Sequence, residues 1–145
     1  MNILLDNVDV SSTTGPNHFA SKLKKYMQRQ GDTFTSDRAF DAQLSFIQSA
    51  HRPTSPLFQR LDGIYFNSEQ DFNRMNAAIK DTYRRSVGVV FQSEFNRRLT
   101  FEYFGEHRNS VVIHNGADLE YINQVRPLRT PVLEQFESVW CCASS

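Results

Sequence analysis

The chain has no surplus of either charge: 16 Lys and Arg stand against 16 Asp and Glu in 145 residues. A general nucleic-acid binder needs excess cations to replace phosphate counterions, so that class is not expected as a partner. Cysteine is scarce. The two present, Cys141 and Cys142, are chain neighbours, and neighbours in a strand point to opposite faces. They make a poor disulfide pair and no zinc site, which fits a reducing, cytoplasmic setting. No apolar run approaches the ~20 residues of a membrane span, and Met1-Asn2-Ile3 opens a polar, strand-like segment rather than a signal peptide. Membrane contact is therefore expected to be peripheral at most. Several catalytic signatures are missing too. There is no G-x-x-x-x-G-K-[ST] triphosphate cradle, no G-x-G-x-x-G after the first strand, no H-E-x-x-H or C-x-x-C, and no G-x-S-x-G elbow.

Aromatics are plentiful: 12 Phe, 5 Tyr and 1 Trp, too many for a disordered segment. The length suits one domain, which at about 150 residues buries roughly 68–70% of its unfolded surface. Strand and helix patterns alternate along it. Asn2 to Val8 has the composition of a buried strand. Asn17 to Gln30 reads as a helix, with Phe19, Leu23, Tyr26 and Met27 on one stripe, Pro16 in the first turn and Gly31 as the left-handed stop. Short strands follow at Thr33 to Thr35 and Gln43 to Gln48, with a helical turn at Asp37 to Asp41 between them. Leu61 to Phe66 reads as the next strand. The clearest helix runs from Ser68 to Arg85, with Phe72, Met75, Ile79 and Tyr83 sharing a face and Ser68 and Asp71 forming its cap.

Val87 to Gln92 is almost wholly apolar, as a central parallel strand should be. Ser93 is placed to cap a helix carrying Phe95, Leu99 and Tyr103 inward and ending at Gly105. Ser110 to Ile113 is one more strand, Asp118 to Gln135 is linker-like, and Phe136 to Ala143 reads as a last strand. This alternation predicts an α/β, Rossmann-like, mostly parallel sheet with right-handed crossovers and helices on both faces. Ligands of such sheets bind beyond the C-terminal ends of the strands. That rule selects the loops Thr13 to His18, Arg60 to Gly63, Gln92 to Phe95 and His114 to Asp118.

Each loop has two readings. Gly15 lets the backbone approach a ligand before a helix N-terminus that favours phosphate or sugar hydroxyls; equally, Gly15-Pro16 is a strand-to-helix turn capped by Thr14. His18 is a base, a sugar contact or, as is commoner on a first helical turn, a solvated surface residue. Asp62 is either an acceptor for ligand hydroxyls or half of a local ion pair with Arg60. Ser93 is explained by a helix cap, which leaves Gln92 over. Asn115-Gly116 is also a simple turn. A receiver-like phospho-acceptor domain, for which Asp6 and Asp9 near the first strand are the acidic residues, ranks behind these readings, because "VVIHNGAD" offers no lysine.

Taken together, "RRSVGVVFQSEFNRRLTFEYFG" (84–105) and "SVVIHNGAD" (110–118) resemble the N-terminal domain of GT-B glycosyltransferases, the group that includes glycosyltransferase family 4 (glycosyl transferases group 1). "QRLDGIYFN" (59–67) is similar to the Arg-Leu-Asp-Gly strand of some branches. "TTGPNHFASKLKKYMQRQGD" (13–32) is similar to the opening glycine-loop helix, with Gly15-Pro16 where a Gly-Gly pair is usual. The resemblance implies half of a retaining enzyme that moves a sugar from a nucleotide-diphosphate donor to an acceptor hydroxyl, with no cofactor and no metal. It implies Gly15, Pro16, Asn17 and His18 at the donor-phosphate or sugar rim. Arg60, Asp62, Gln92 and Ser93 fall on the acceptor side, and Asn115 and Gly116 at the hinge.

The implied organisation is an acceptor-side domain over 1–118, a linker over 119–135, and over 136–145 the first strand of a C-terminal donor-binding domain. That second domain would be the partner, with a glycan, lipid or small molecule as acceptor. The isolated chain would be inactive, and no catalytic base is singled out. The alternative is a non-catalytic α/β binding domain, or one subunit of a split glycosyltransferase.

Overall fold

A computed structural model of the chain describes residues 1–12, 15–37, 39–116 and 119–124. Its strands are β1 (Asn2–Asp6), β2 (Thr33–Phe34), β3 (Ala42–Phe46), β4 (Leu57–Leu61), β5 (Gly88–Phe91) and β6 (Ser110–Val112). They form one sheet in the order β2-β1-β3-β4-β5-β6, and every neighbouring pair is parallel. The helices are α1 (Gly15–Arg29), α2 (Phe72–Arg85), α3 (Glu94–Phe104) and α4 (Leu119–Gln124). Compact units divide at residue 114: Met1–His114 holds the sheet with α1 to α3, and Asn115–Ser145 holds α4. Among the described residues, no helix is long and apolar enough to cross a membrane.

The α/β expectation holds, with helices on both faces. Side-chain parity along the strands shows which face each helix covers. Phe46 and Arg60 are register partners, and both meet Phe19 of α1. Leu61, one residue on, faces the other way and joins Val89, Phe91, Ile79 and Tyr83 in the main core under α2 and α3. Phe101 of α3 meets Phe91 edge-on at 5.9 Å. Burying side chains of this size contributes about 1.5–3 kcal/mol each, so this layer anchors the fold. The helix stops are as the sequence indicates: Gly31 and Gly105 take φ of 90° and 88° after α1 and α3, a region open to glycine without strain.

Several elements sit differently from the sequence reading. The fourth strand is Leu57–Leu61, not Leu61 to Phe66. It begins directly after Pro56, and its neighbours end at Phe46 and Phe91, so residues 62–67 have no ladder to join. Side-chain amides hold that stretch instead: Asn96 Nδ2 donates to Leu61 O at 2.6 Å, and Asn76 pairs with both the N–H and the C=O of Tyr65. Helix α2 starts at Phe72, and Asp71 caps it by accepting from Arg74 N at 3.1 Å; Ser68 lies in the preceding turn. Its inner face takes Asn76 rather than Met75, because the Tyr65 backbone needs an amide there. In α3 the buried positions are Asn96 and Thr100, and Phe95 is exposed. The described part of 37–41 contains no helical turn. Residues Leu119–Gln124 are helical, where a linker was expected. The rest of that linker and the strand expected at 136–143 lie outside the described residues.

Candidate functional site

The C-terminal ends of β4, β5 and β6 carry a connected run of polar groups. Gln92 Nε2 donates to Asp62 O at 3.0 Å, bridging the exits of β5 and β4. His114 Nδ1 lies 3.1 Å from Gln92 O, which ties in the exit of β6. A carbonyl can only accept, so that Nδ1 carries the ring proton. Arg60, 5% exposed, sends Nη1 to the Asp62 carboxylate. Its guanidinium also stacks 3.9 Å from the Phe19 ring centroid and 5.5 Å from that of Phe46. A buried cation must be paired to be tolerated, and both contacts act to that end. The ion-pair reading of Arg60 and Asp62 therefore holds, and it also links the β4 exit to the first turns of α1.

The other sequence candidates divide. Ser93 is the N-cap of α3, its Oγ accepting from Asn96 N at 3.1 Å, as the simple reading had it. Asn17 is half-buried and its Oδ1 accepts from Asp9 N at 3.0 Å, which fastens the loop after β1. Gly15, Pro16 and His18 are exposed. A Cβ on Gly15 would meet nothing within 4 Å, so the space above this helix start is open. Thr13, Thr14, Ala117 and Asp118 lie outside the described residues. Asn115 and Gly116 are exposed and belong to the second unit.

Sequence reasoning had Asp6 only as an acidic residue near the first strand and missed the group built around it. Asp6 ends β1 with its side chain fully buried. Its Oδ2 accepts from Gln43 Nε2 at 2.7 Å, Ser45 Oγ at 2.7 Å and Ala50 N at 3.0 Å. Its Oδ1 lies 2.6 Å from His51 Nδ1. Burial pushes the Asp6 carboxyl up, but hydrogen bonds from His51, Ser45, Gln43 and Ser49 outweigh that and hold it below the ordinary carboxylate value. The only sequence signal was a carboxylate closing an apolar strand; nothing in the pattern paired it with a histidine 45 residues on.

The same sheet face buries Gln59, whose Nε2 donates to Ile47 O at 2.6 Å. Ile47 has φ of 67°, a strained conformation for a β-branched residue worth about 1–3 kcal/mol. The hydrogen bonds of Ile47 N to Arg60 O and of Gln59 to Ile47 O hold it there. Among the described residues, no three His, Cys, Asp or Glu side chains gather as metal ligands. Compared with known proteins, the chain matches no family model, no curated protein and no solved structure.

Proposed function

We propose that this chain is the N-terminal, acceptor-side domain of a retaining GT-B glycosyltransferase, which moves a sugar from a nucleotide-diphosphate donor to an acceptor hydroxyl. One observation carries the reading: the hydrogen bonds that join Asp62, Gln92 and His114 line up three strand exits on one sheet edge. That edge is where parallel α/β sheets take their ligands. The motifs at these exits, Arg-Leu-Asp-Gly and Gln-Ser, are also those that resemble the family.

In this reading Arg60, Asp62, Gln92 and Ser93 line the acceptor side. Asp62 and Gln92 offer the acceptors and donors that orient sugar hydroxyls. Gly15, Pro16, Asn17 and His18 form the rim at the α1 N-terminus, where free N–H groups and the helix dipole favour the developing diphosphate charge. Asn115 and Gly116 serve as the hinge toward a donor-binding domain, which supplies the nucleotide contacts. Neither a cofactor nor a metal is assigned a role, the setting is cytoplasmic, and the chain alone does not turn over.

The test is transfer by the full-length gene product, followed as nucleoside diphosphate released from a panel of nucleotide sugars with and without acceptor. Gln92→Ala is expected to lower the rate by about tenfold, the effect of one lost hydrogen bond of about 1.4 kcal/mol in the transition state. An unchanged rate and acceptor KM removes Gln92 from the site, and no transfer from any donor overturns the reading.

A further inference from the structure

Helices α2 and α3 pack on β4 and β5, and near β1 stand described parts of two connections, residues 35–37 and 40 and residues 51, 52 and 54. Between them lies a hollow of about 600 Å³ beside Leu4, with His51 and Arg52 on its wall. That volume falls within the roughly 300–1,000 Å³ of small-molecule sites. None of its lining residues belongs to the strand-exit group, and Arg60 faces the opposite side of the sheet.

The Asp6 network beneath this hollow is expensive to bury. A polar core cluster of this kind is seldom better for stability than apolar packing of the same volume. Its outlet is His51, whose side chain is 70% exposed while Asp6 is fully buried. An ionised carboxylate only accepts, so His51 Nδ1 carries the proton and Nε2 of the neutral ring is an acceptor, on a side chain that borders both this hollow and a second one beside Asp81 and Arg85. The network thus spends three hydrogen bonds on Asp6 Oδ2 to hold one imidazole in one tautomer and orientation.

The rest of the lining indicates what the hollow can take. Phe40 and Leu4 supply apolar surface, and Thr35, Ser36 and Thr54 supply hydroxyls. Among the described lining residues Asp37 and Arg52 carry opposite charges, and the ionised Asp6 with a neutral His51 ring adds one buried negative charge beneath them. Among the described residues the wall has no surplus of positive charge, which disfavours a multiply charged anion. Mixed apolar and hydroxyl surface matches a molecule with C–H faces and many O–H groups.

We propose that this hollow is a second ligand site, taking a small neutral polyhydroxy molecule of the saccharide class, and that His51 Nε2 accepts a hydrogen bond from one of its hydroxyls. The site is independent of the strand-exit reading.

The experiment is nuclear magnetic resonance on the isotopically labelled full chain, titrated with maltose and methyl α-glucopyranoside, and with inorganic phosphate as the anionic comparison. The His51 ring is expected to show the Nδ1–H tautomer, and the saccharides to shift the Thr35, Ser36 and Thr54 amides saturably. His51→Ala should weaken binding by about tenfold, one hydrogen bond's worth. Because that variant leaves Asp6 Oδ1 without its partner, Thr54→Trp, at an exposed position, fills the hollow by a separate route and should abolish binding. Gln92→Ala should leave it unchanged, which separates this site from the strand exits. An Nε2–H tautomer, no saturable shift with either saccharide, undiminished binding by folded His51→Ala or Thr54→Trp, or tighter binding of phosphate than of maltose would each overturn the proposal.

Discussion

Replacing Asn96 by leucine tests how the chain leaves β4 and positions Asp62. Leucine keeps asparagine's branched skeleton but is bulkier, so the packing change is controlled by making the same substitution at a second asparagine. Asn96 is 4% exposed, and its two partners, Leu61 and Thr100, are both 0% exposed. Its Nδ2 donates to Leu61 O at 2.6 Å, and its Oδ1 accepts from Thr100 Oγ1 at 3.4 Å. Each buried partner left without its bond costs about 1–3 kcal/mol, so Asn96→Leu should lose about 2–6 kcal/mol.

Asn76→Leu is the internal comparison. It also removes two bonds, to Tyr65 N at 3.0 Å and Tyr65 O at 2.6 Å. Both of these bonds are only part-buried, whereas that of Asn96 to Leu61 is buried, so water can replace them in part and the net loss should be about 1–3 kcal/mol. Urea unfolding of the chain and both variants measures the difference, with an unchanged m-value required for the comparison. Equal losses, or a larger one at Asn76, would refute the argument that burial of the partner sets the cost.

Two further outcomes follow from ionisation. Asp6 is held below the ordinary carboxylate value, so acid protonates the unfolded chain first. Its stabilising contribution is complete above about pH 3.9 and is lost as pH falls through the lower folded value. Urea midpoints of Asp6→Asn should accordingly be lower at neutral pH and fall less steeply on acidification than those of the parent chain. Tyr83 is pushed up to about 12 by burial and by the negative charge of Glu106, and its hydroxyl donates to Gly105 O at 2.8 Å. The unfolded chain releases that proton near pH 10, so stability should decline between there and the folded value, and Tyr83→Phe should lack the latest phenolate absorbance step in an alkaline titration.

Much of the fold was legible because one-sided burial leaves a period in the sequence. The run Val89, Val90, Phe91 announced a central strand, and Ser93 announced the helix after it. Periodicity misled where a buried position is polar. Gln59 and Arg60 look like the end of a strand's apolar pattern, yet both lie inside β4, Gln59 against Ile47 and Ile79 and Arg60 between Phe19 and Asp62. The apolar Ile64-Tyr65-Phe66 looks like strand and is a loop, because strand formation depends on a neighbour's backbone and β3 and β5 have already ended. Met75 and Phe95 were read inward from apolar helical spacing, whereas the inner places went to Asn76 and Asn96, which donate to the carbonyls of Tyr65 and Leu61.

Composition and local pattern were enough to establish the alternating architecture, the helix stops at Gly31 and Gly105, and the loops that gather at the strand exits. These depend on residues within a turn or two of each other, where sterics and amphipathic spacing act. Only the tertiary structure joined Asp62, Gln92 and His114 into one run, paired Asp6 with His51, and turned Asn76 and Asn96 inward. Those contacts span long stretches of chain, and a hydrogen bond between distant residues leaves no period for the sequence to display.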